Sequence, residues 1–455
     1  MSVFQKFKYF FIGKIPLIFF DFIENKRGGY FAKRIFESYI EYRIKSKKIE
    51  QQSNKNLKPR VYIFANSYGM WQAPINSHLR LSLDIAKCYD DNKIEVKYLL
   101  SNHPFLSRYW HNGIIIKSNF LYENIKYKDK LLEYIYLMKG IKNIGVDIID
   151  SLSYMTLNSY INSAIKSVED ININDIIIYQ GGRPKSIILQ NILSKLDVSK
   201  KIFLMGGRQE KITDINSYNI VLGPNNPINI DLNKNNNFKY ITYTAYELEP
   251  FYYEKENLIT LDDDSNKITE SIKLSLNNNL LVYVKQKAAS SIDSEFLDIL
   301  DMLFKKRPKL NLLVVGDTKE NIMNIFLEKE YKTNIFTLNF SNSLYGLFRL
   351  LNNDFNTVFI LPKITGNGGT NMIAAMSGMP TVIFQGNDAE KYIPVKYFVE
   401  TIEEYINQVI KFIDNKEARE TYKIDFEKFK KDKKDEAKKL YISFVENGEN
   451  NNANN

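Results

Sequence analysis

The chain is poor in the residues that staple or metallate a protein. Its 455 residues include one cysteine, Cys88, and three histidines, His78, His103 and His111. A single thiol forms no intramolecular disulfide, so the fold must stand on its core in a reducing or cysteine-indifferent compartment. Nor can this set supply the ligand spacing of a zinc site, which removes a protein metal cage from consideration. Cys88 ends an apolar helical pattern and reads as a small buried hydrophobe. Long apolar runs are also missing. The stretch from Met1 to Ile23 is rich in Phe and Ile, but Lys14, Pro16 and Asp21 interrupt it, well short of the ~20 apolar residues a bilayer span needs. No small-residue cleavage site follows it. Two readings of this stretch stay open. It is an interfacial anchor that lays aromatics into a membrane while Lys6, Lys8 and Lys14 meet anionic head groups, or an amphipathic helix packed on the first domain.

What the chain has is length and a basic balance. At 455 residues it exceeds one ordinary core and suits two domains of about 200 residues each. Lys and Arg number 62 against 53 Asp and Glu, for a net charge of +9, which suits anionic partners such as nucleotide phosphates, acidic glycans or lipid head groups. Lys, Asn and Ile are abundant throughout, so much of this charge also reads as solvated surface. The basic residues are dispersed and no recognition motif accompanies them, which leaves nucleic-acid binding the weakest reading.

Periodicity predicts an α/β chain. A basic, helical segment over 1–58 precedes a first domain over 59–245. There the run from Arg60 to Ala65 reads as a buried strand, the turn Asn66-Ser67-Tyr68-Gly69 follows, and Pro74 can start a helix with apolar positions Ile75, Leu79, Leu83 and Ala86. A strand over Ile94–Leu100 completes a unit of the parallel-sheet kind. Further strands are expected at Val146–Ile149, Asp175–Tyr179, Lys201–Met205 and Tyr218–Leu222. Two of these run into Gly181-Gly182-Arg183 and Gly206-Gly207-Arg208, either as donors at strand ends or as turn glycines beside surface arginines. The second domain, over 246–446, alternates strand and helix from Leu280 to Phe384 and closes on helices at Ile402–Ile413 and Glu417–Val445. Residues 447–455 are polar and are expected to be disordered.

The chemistry is expected at strand ends of the second domain. The strand Thr357–Leu361 leads into Gly366-Asn367-Gly368-Gly369-Thr370-Asn371 and then a helix-like segment from Met372 to Ser377. A strand, glycine turn and helix aim backbone N–H groups and the positive end of a helix dipole at one point, which suits a phosphate. Lys285 and Lys287 follow the strand ending at Val284, and Gly316-Asp317 closes the next one. Each has a plain structural alternative as exposed lysine or turn glycine. The acidic run Asp262-Asp263-Asp264 lies between the halves, and Asp264 or Ser265 reads as a helix cap rather than a metal ligand.

The order strand, Gly368-Gly369-Thr370, helix, Gly378-Met379-Pro380-Thr381-Val382 resembles the nucleotide-sugar-binding domain of GT-B fold glycosyltransferases. The match covers roughly Leu280 to Lys391, with weaker similarity of architecture over Arg60 to Leu222. The resemblance implies two Rossmann-like domains facing a cleft, with extra helices at both ends. The Asn- and Lys-rich composition and the lack of a targeting signal fit a bacterial, cytoplasmic transferase, peripheral to the inner face of the membrane if the amino-terminal segment is an anchor. Its substrates would be a nucleotide-sugar donor, a UDP-sugar in the first instance, and a glycan, lipid-linked or protein acceptor, with no further cofactor and no metal. By the same resemblance Gly368, Gly369, Thr370 and Asn371 hold the diphosphate, Lys285 or Lys287 neutralises it, Gly316 lies near the base, and Asp388 and Glu390 lie beside sugar or ribose.

One departure bears on mechanism. Many retaining members carry two glutamates eight positions apart, and the corresponding positions here hold Thr365 and Ile373. If the reaction inverts, it needs a base, and His78 in the first helical turn after the first strand is the candidate, with His103 in reserve. A structural role for His78 stays open. The spacing from Gly366-Asn367 to Gly378 is also similar to that of cytoplasmic glucosyltransferases that modify bacterial adhesins. A nucleotide-sugar 2-epimerase and a non-catalytic glycosyltransferase-like subunit are the alternatives.

Overall fold

The computed structural model describes residues 3–15, 38–44, 54, 57–66, 77–101, 109–111, 114–116, 145–149, 156–166, 168–180, 186–205, 217–223, 227, 230–232, 237–246, 263–275, 277–285, 292–339, 341, 344–363 and 368–446. These divide into two compact units, Met1–Tyr243 with Lys438–Asn455, and Thr244–Ala437.

The first unit opens with helices α1 (Val3–Lys14) and α2 (38–44). It continues with β1 (Val61–Asn66), α3 (Ser77–Asp91), β2 (Val96–Ser101), the short antiparallel pair β3 (Tyr109–His111) and β4 (Ile114–Ile116), and β5 (Gly145–Ile149). Helix α4 (Leu157–Lys166), β6 (Ile176–Gln180), α5 (Ser186–Leu193), β7 (Lys200–Leu204), β8 (Ile220–Gly223) and β9 (Lys239–Thr242) complete it. Seven strands form one parallel sheet in the order β5-β2-β1-β6-β7-β8-β9. All five residues of β6 are buried, as expected of a parallel strand covered on both faces. The direction of winding reverses between β1 and β6, which makes that point the switch of the sheet.

At the amino ends of those two strands the chain is tied by charge. The Asp175 carboxylate is fully buried and accepts from the Arg60 guanidinium at 2.8 Å, from the Arg60 N–H at 3.0 Å and from the Asn172 N–H at 2.7 Å. Multiple donors on one buried carboxylate offset its desolvation.

The second unit is α6 (Asp263–Leu274), β10 (Asn279–Val284), α7 (Ser294–Lys306), β11 (Asn311–Val315), α8 (Lys319–Ile325), β12 (Ile335–Leu338) and α9 (Leu344–Asp354). Then come β13 (Asn356–Phe359), α10 (Gly368–Met376), β14 (Ile383–Phe384), β15 (Phe398–Val399), α11 (Ile402–Asp414) and α12 (Lys416–Glu446). Its parallel sheet runs β12-β11-β10-β13, and a bridge from Phe359 to Thr381 extends it past β13. Here the switch lies between β10 and β13. Its amino ends are again closed, this time by amides: Asn356 donates to Asn279 at 3.0 Å and accepts from Arg419 at 2.6 Å.

The last turns of α12 do not stay with the unit that α12 begins in. The sequence reading kept the second domain intact to residue 446, whereas residues from Lys438 on belong to the first unit. Tyr441 and Phe444 are buried there, and their carbonyls accept from the Tyr89 hydroxyl at 3.0 Å and the Lys200 ammonium at 2.5 Å. A 31-residue helix of low apolar content carries no sequence mark of where its packing partner changes.

Candidate functional site

The carboxyl ends of the second sheet collect most of the residues singled out from the sequence. Lys285 follows β10 directly, and its N–H donates to the Val315 carbonyl at 2.7 Å. Its ammonium reaches Asp317, just past the end of β11, at 2.5 Å. Asp317 also accepts from the Asn321 side chain at 2.8 Å and from the Thr318 N–H at 2.7 Å. Partial burial pushes the Asp317 carboxyl up, but the hydrogen bonds from Lys285, Asn321 and Thr318 and the Lys285 charge outweigh it and hold the group below the usual carboxylate range. Three donors occupy Asp317, which makes it a residue that positions Lys285. An ammonium has three N–H donors, and Asp317 takes one of them.

Gly316 is needed for a reason the sequence did not reveal. Its φ is +109°, and a Cβ placed on it would lie 2.4 Å from the Lys285 carbonyl oxygen. The glycine therefore lets β10 and β11 end side by side and fixes where Lys285 leaves the sheet.

The neighbouring strand β13 leads to the glycine-rich segment. Its exit is anchored by Tyr405, a fully buried phenol whose oxygen accepts the Leu361 N–H at 2.8 Å and whose ring stacks on Phe384 at 4.7 Å. Lys363 follows, exposed, with its ammonium 3.4 Å from Glu295 and 6.0 Å from the centre of the Phe384 ring.

Helix α10 then begins at Gly368, four residues before the start predicted at Met372. The four candidate residues Gly368, Gly369, Thr370 and Asn371 are thus its first turn, where N–H groups point out of the helix start instead of along its own ladder. Thr370 and Asn371 are buried, at 3% and 0% exposure. Against α10 packs a short 3-10 turn, Asp388–Tyr392, that contains the remaining pair of candidates. Within it Glu390 accepts from the Gly386 N–H, and the Asn387 side chain accepts from the Ala389 N–H at 2.9 Å. The carboxylate of Glu390 closes its own turn at this position.

Gly316, Lys285, and α10 with the turn at 388–392 therefore follow β11, β10 and β13, three neighbouring strands of the second sheet. Lys287 lies outside the described residues, as do Ser67, Gly69, His103, both Gly-Gly-Arg motifs, Asp262 and Thr365. His78 is the second residue of α3, in the first unit, after the switch strand β1. Asp263 and Asp264 sit exposed in the first turn of α6, and among the described residues no group of three or more His, Cys, Asp or Glu could hold a metal ion. Sequence reasoning missed Lys363, Tyr405 and the positioning part of Asp317. Lys363 carried a signal, a cation between strand and glycine turn; Tyr405 carried none.

A cavity of about 310 Å³ lies elsewhere in the second unit, lined by Lys396, Tyr397, Lys411, Phe412 and Glu417 among others. None of the candidate residues lines it.

The fold recurs among solved structures. A mutant O-GlcNAc transferase of Thermobaculum terrenum is 10% identical with a TM-score of 0.54, over 91% of this chain and 72% of that one. TarM is 10% identical with a TM-score of 0.54, over 86% of this chain and 99% of TarM. A UDP-forming α,α-trehalose-phosphate synthase of Burkholderia vietnamiensis is 11% identical with a TM-score of 0.50, over 88% and 99%. The chain has the GT-B fold, with two Rossmann-like units. No family model and no curated protein matches it in sequence.

Proposed function

We propose that the protein is a glycosyltransferase that takes a sugar from a nucleotide-sugar donor, a UDP-sugar in the first instance, and passes it to a hydroxyl of a glycan, lipid-linked saccharide or protein. One observation carries this reading: a helix whose first described turn opens on two glycines at the switch of the second sheet, beside a strand that Lys285 follows directly. The diphosphate of the donor sits against the first turn of α10, where glycines let it approach the backbone and the dipole favours its charge. Lys285, held by Asp317, and Lys287 supply the counter-charge.

The bond between the anomeric carbon and the phosphate oxygen breaks as the acceptor oxygen attacks. The electron pair leaves with the nucleoside diphosphate, and the positive field at α10 stabilises that charge as it develops. In an inverting reaction the acceptor proton passes to the imidazole of His78. With Thr365 and Ile373 where many retaining transferases have glutamates, inversion is the outcome we assign. In this reading the helix and the lysines supply the counter-charge that a tightly held cation would otherwise give.

The test is release of nucleoside diphosphate from UDP-, GDP- and ADP-sugars and of CMP from a CMP-sugar, with and without candidate acceptors. Turnover of one donor supports the reading. His78→Ala should cut kcat by a factor on the order of 100 or more with donor affinity unchanged, and an unimpaired rate returns His78 to a structural role. Thr365 and Ile373 also favour a second reading, a non-catalytic subunit of the same fold. It would bind a nucleotide or glycan and turn over no donor.

A further inference from the structure

Helix α1 is apolar on two opposite faces. One face is docked in the first unit. Ile12 belongs to its core, Tyr9 stacks on Tyr42 at 4.9 Å, and the Ile15 carbonyl accepts the Leu157 N–H at 2.9 Å. Gly13 lets this face lie close, since a Cβ there would come 2.2 Å from the Tyr39 hydroxyl. The other face has Phe7, Phe10 and Phe11 in one stripe at i, i+3 and i+4. They are 64%, 57% and 57% exposed. Lys14 completes the stripe with its ammonium 4.1 Å from the centre of the Phe10 ring.

From this arrangement we propose that the outer face of α1 docks the protein on an anionic phospholipid surface. The helix lies in the plane of the interface, with Phe7, Phe10 and Phe11 among the acyl chains and its lysines at the head groups. Three observations select that occupant. Residues 1–20 include Lys6, Lys8 and Lys14 and no acidic residue, so the charge complements an anionic surface. The exposed phenyl area is roughly 300–400 Å², given 150–250 Å² per aromatic side chain, about half of what each partner gives to a stable protein interface. Lys14 lies along Phe10 with its charge at the ring face, as an amphipathic side chain does where apolar and polar layers meet. Helix α1 has 12 residues, short of the ~20 a bilayer span needs, and the proposed contact is interfacial. This inference does not depend on the transferase reading, and its readout does not involve the donor.

The test is flotation of the full chain with vesicles of phosphatidylcholine alone and of phosphatidylcholine with phosphatidylglycerol. The wild-type chain should partition onto the anionic vesicles, and less as salt rises. Phe7→Ser, Phe10→Ser and Phe11→Ser together should weaken that binding more than about tenfold with an unchanged thermal midpoint, since all three rings are exposed. Lys8→Glu with Lys14→Glu should weaken binding to anionic vesicles only. No partition of the wild-type chain, equal partition of the triple variant, or a concentration-dependent dimer that the triple variant dissolves would each overturn the proposal.

Discussion

Two kinds of first turn stand out among the described helices of the second unit. Helices α7, α8 and α11 are closed by the chain's own side chains: Asp293 accepts from the Phe296 N–H at 2.8 Å, Thr318 from Asn321 at 3.3 Å, and Thr401 with Glu404 forms a reciprocal capping box. The first described turn of α10 is Gly368, Gly369, Thr370 and Asn371, two of which carry no side chain. A cap satisfies a helix with a group of the protein itself, and glycines keep the approach to the backbone open for a ligand. On the proposed reading the capped starts serve stability and the glycine start serves binding.

The sharpest way to break this contrast is to give α10 an anion of its own. Gly369→Asp places a carboxylate in the first turn, where the dipole favours it by about 0.3–1 kcal/mol. The account expects the thermal midpoint to hold or rise while nucleotide affinity falls by a factor on the order of 100 or more, about 2.7 kcal/mol; a stable variant with normal affinity would remove α10 from the site. Gly316→Ala should destabilise by about 1–3 kcal/mol through its positive φ, with the close Lys285 carbonyl adding to the cost, and denaturant unfolding measures it. Lys285→Ala removes a side chain and not the anion seat, so nucleotide binding should weaken about tenfold, or ~1.4 kcal/mol, read by titration at low and high salt. Thr318→Ala is the control from the capped class. It should cost about 1 kcal/mol of stability and leave nucleotide affinity within about twofold, an expected outcome that calorimetry checks directly.

The same contrast explains what was legible in the sequence. Buried parallel strands announce themselves as runs of Val, Ile and Leu, and β10, β11, β12 and β6 lie within a residue or two of their predicted spans. The start of α10 was placed four residues late because Gly-Gly is a poor helix former and reads as a turn. Strand β9 escaped because Lys239–Thr242 is only partly buried and has no apolar run. Helices α4 and α5 were not read either, although both are short and carry an apolar face. Contacts between distant residues left no pattern at all: Lys285 meets Asp317 across 32 positions and Leu361 meets Tyr405 across 44. The identity of the candidate residues could be read from glycine and lysine at strand ends. Their fixing by Asp317, Gly316 and Tyr405 arises only from contacts between residues distant in the chain.

The most direct test of the central claim is a calorimetric titration of the full chain and of Gly369→Val with UDP, GDP, ADP and CMP. The account expects one nucleotide to bind the wild-type chain saturably and the folded variant to lose it, because a branched side chain occupies the space of the phosphate. Binding of none of the four, or equal binding by the variant, would contradict it.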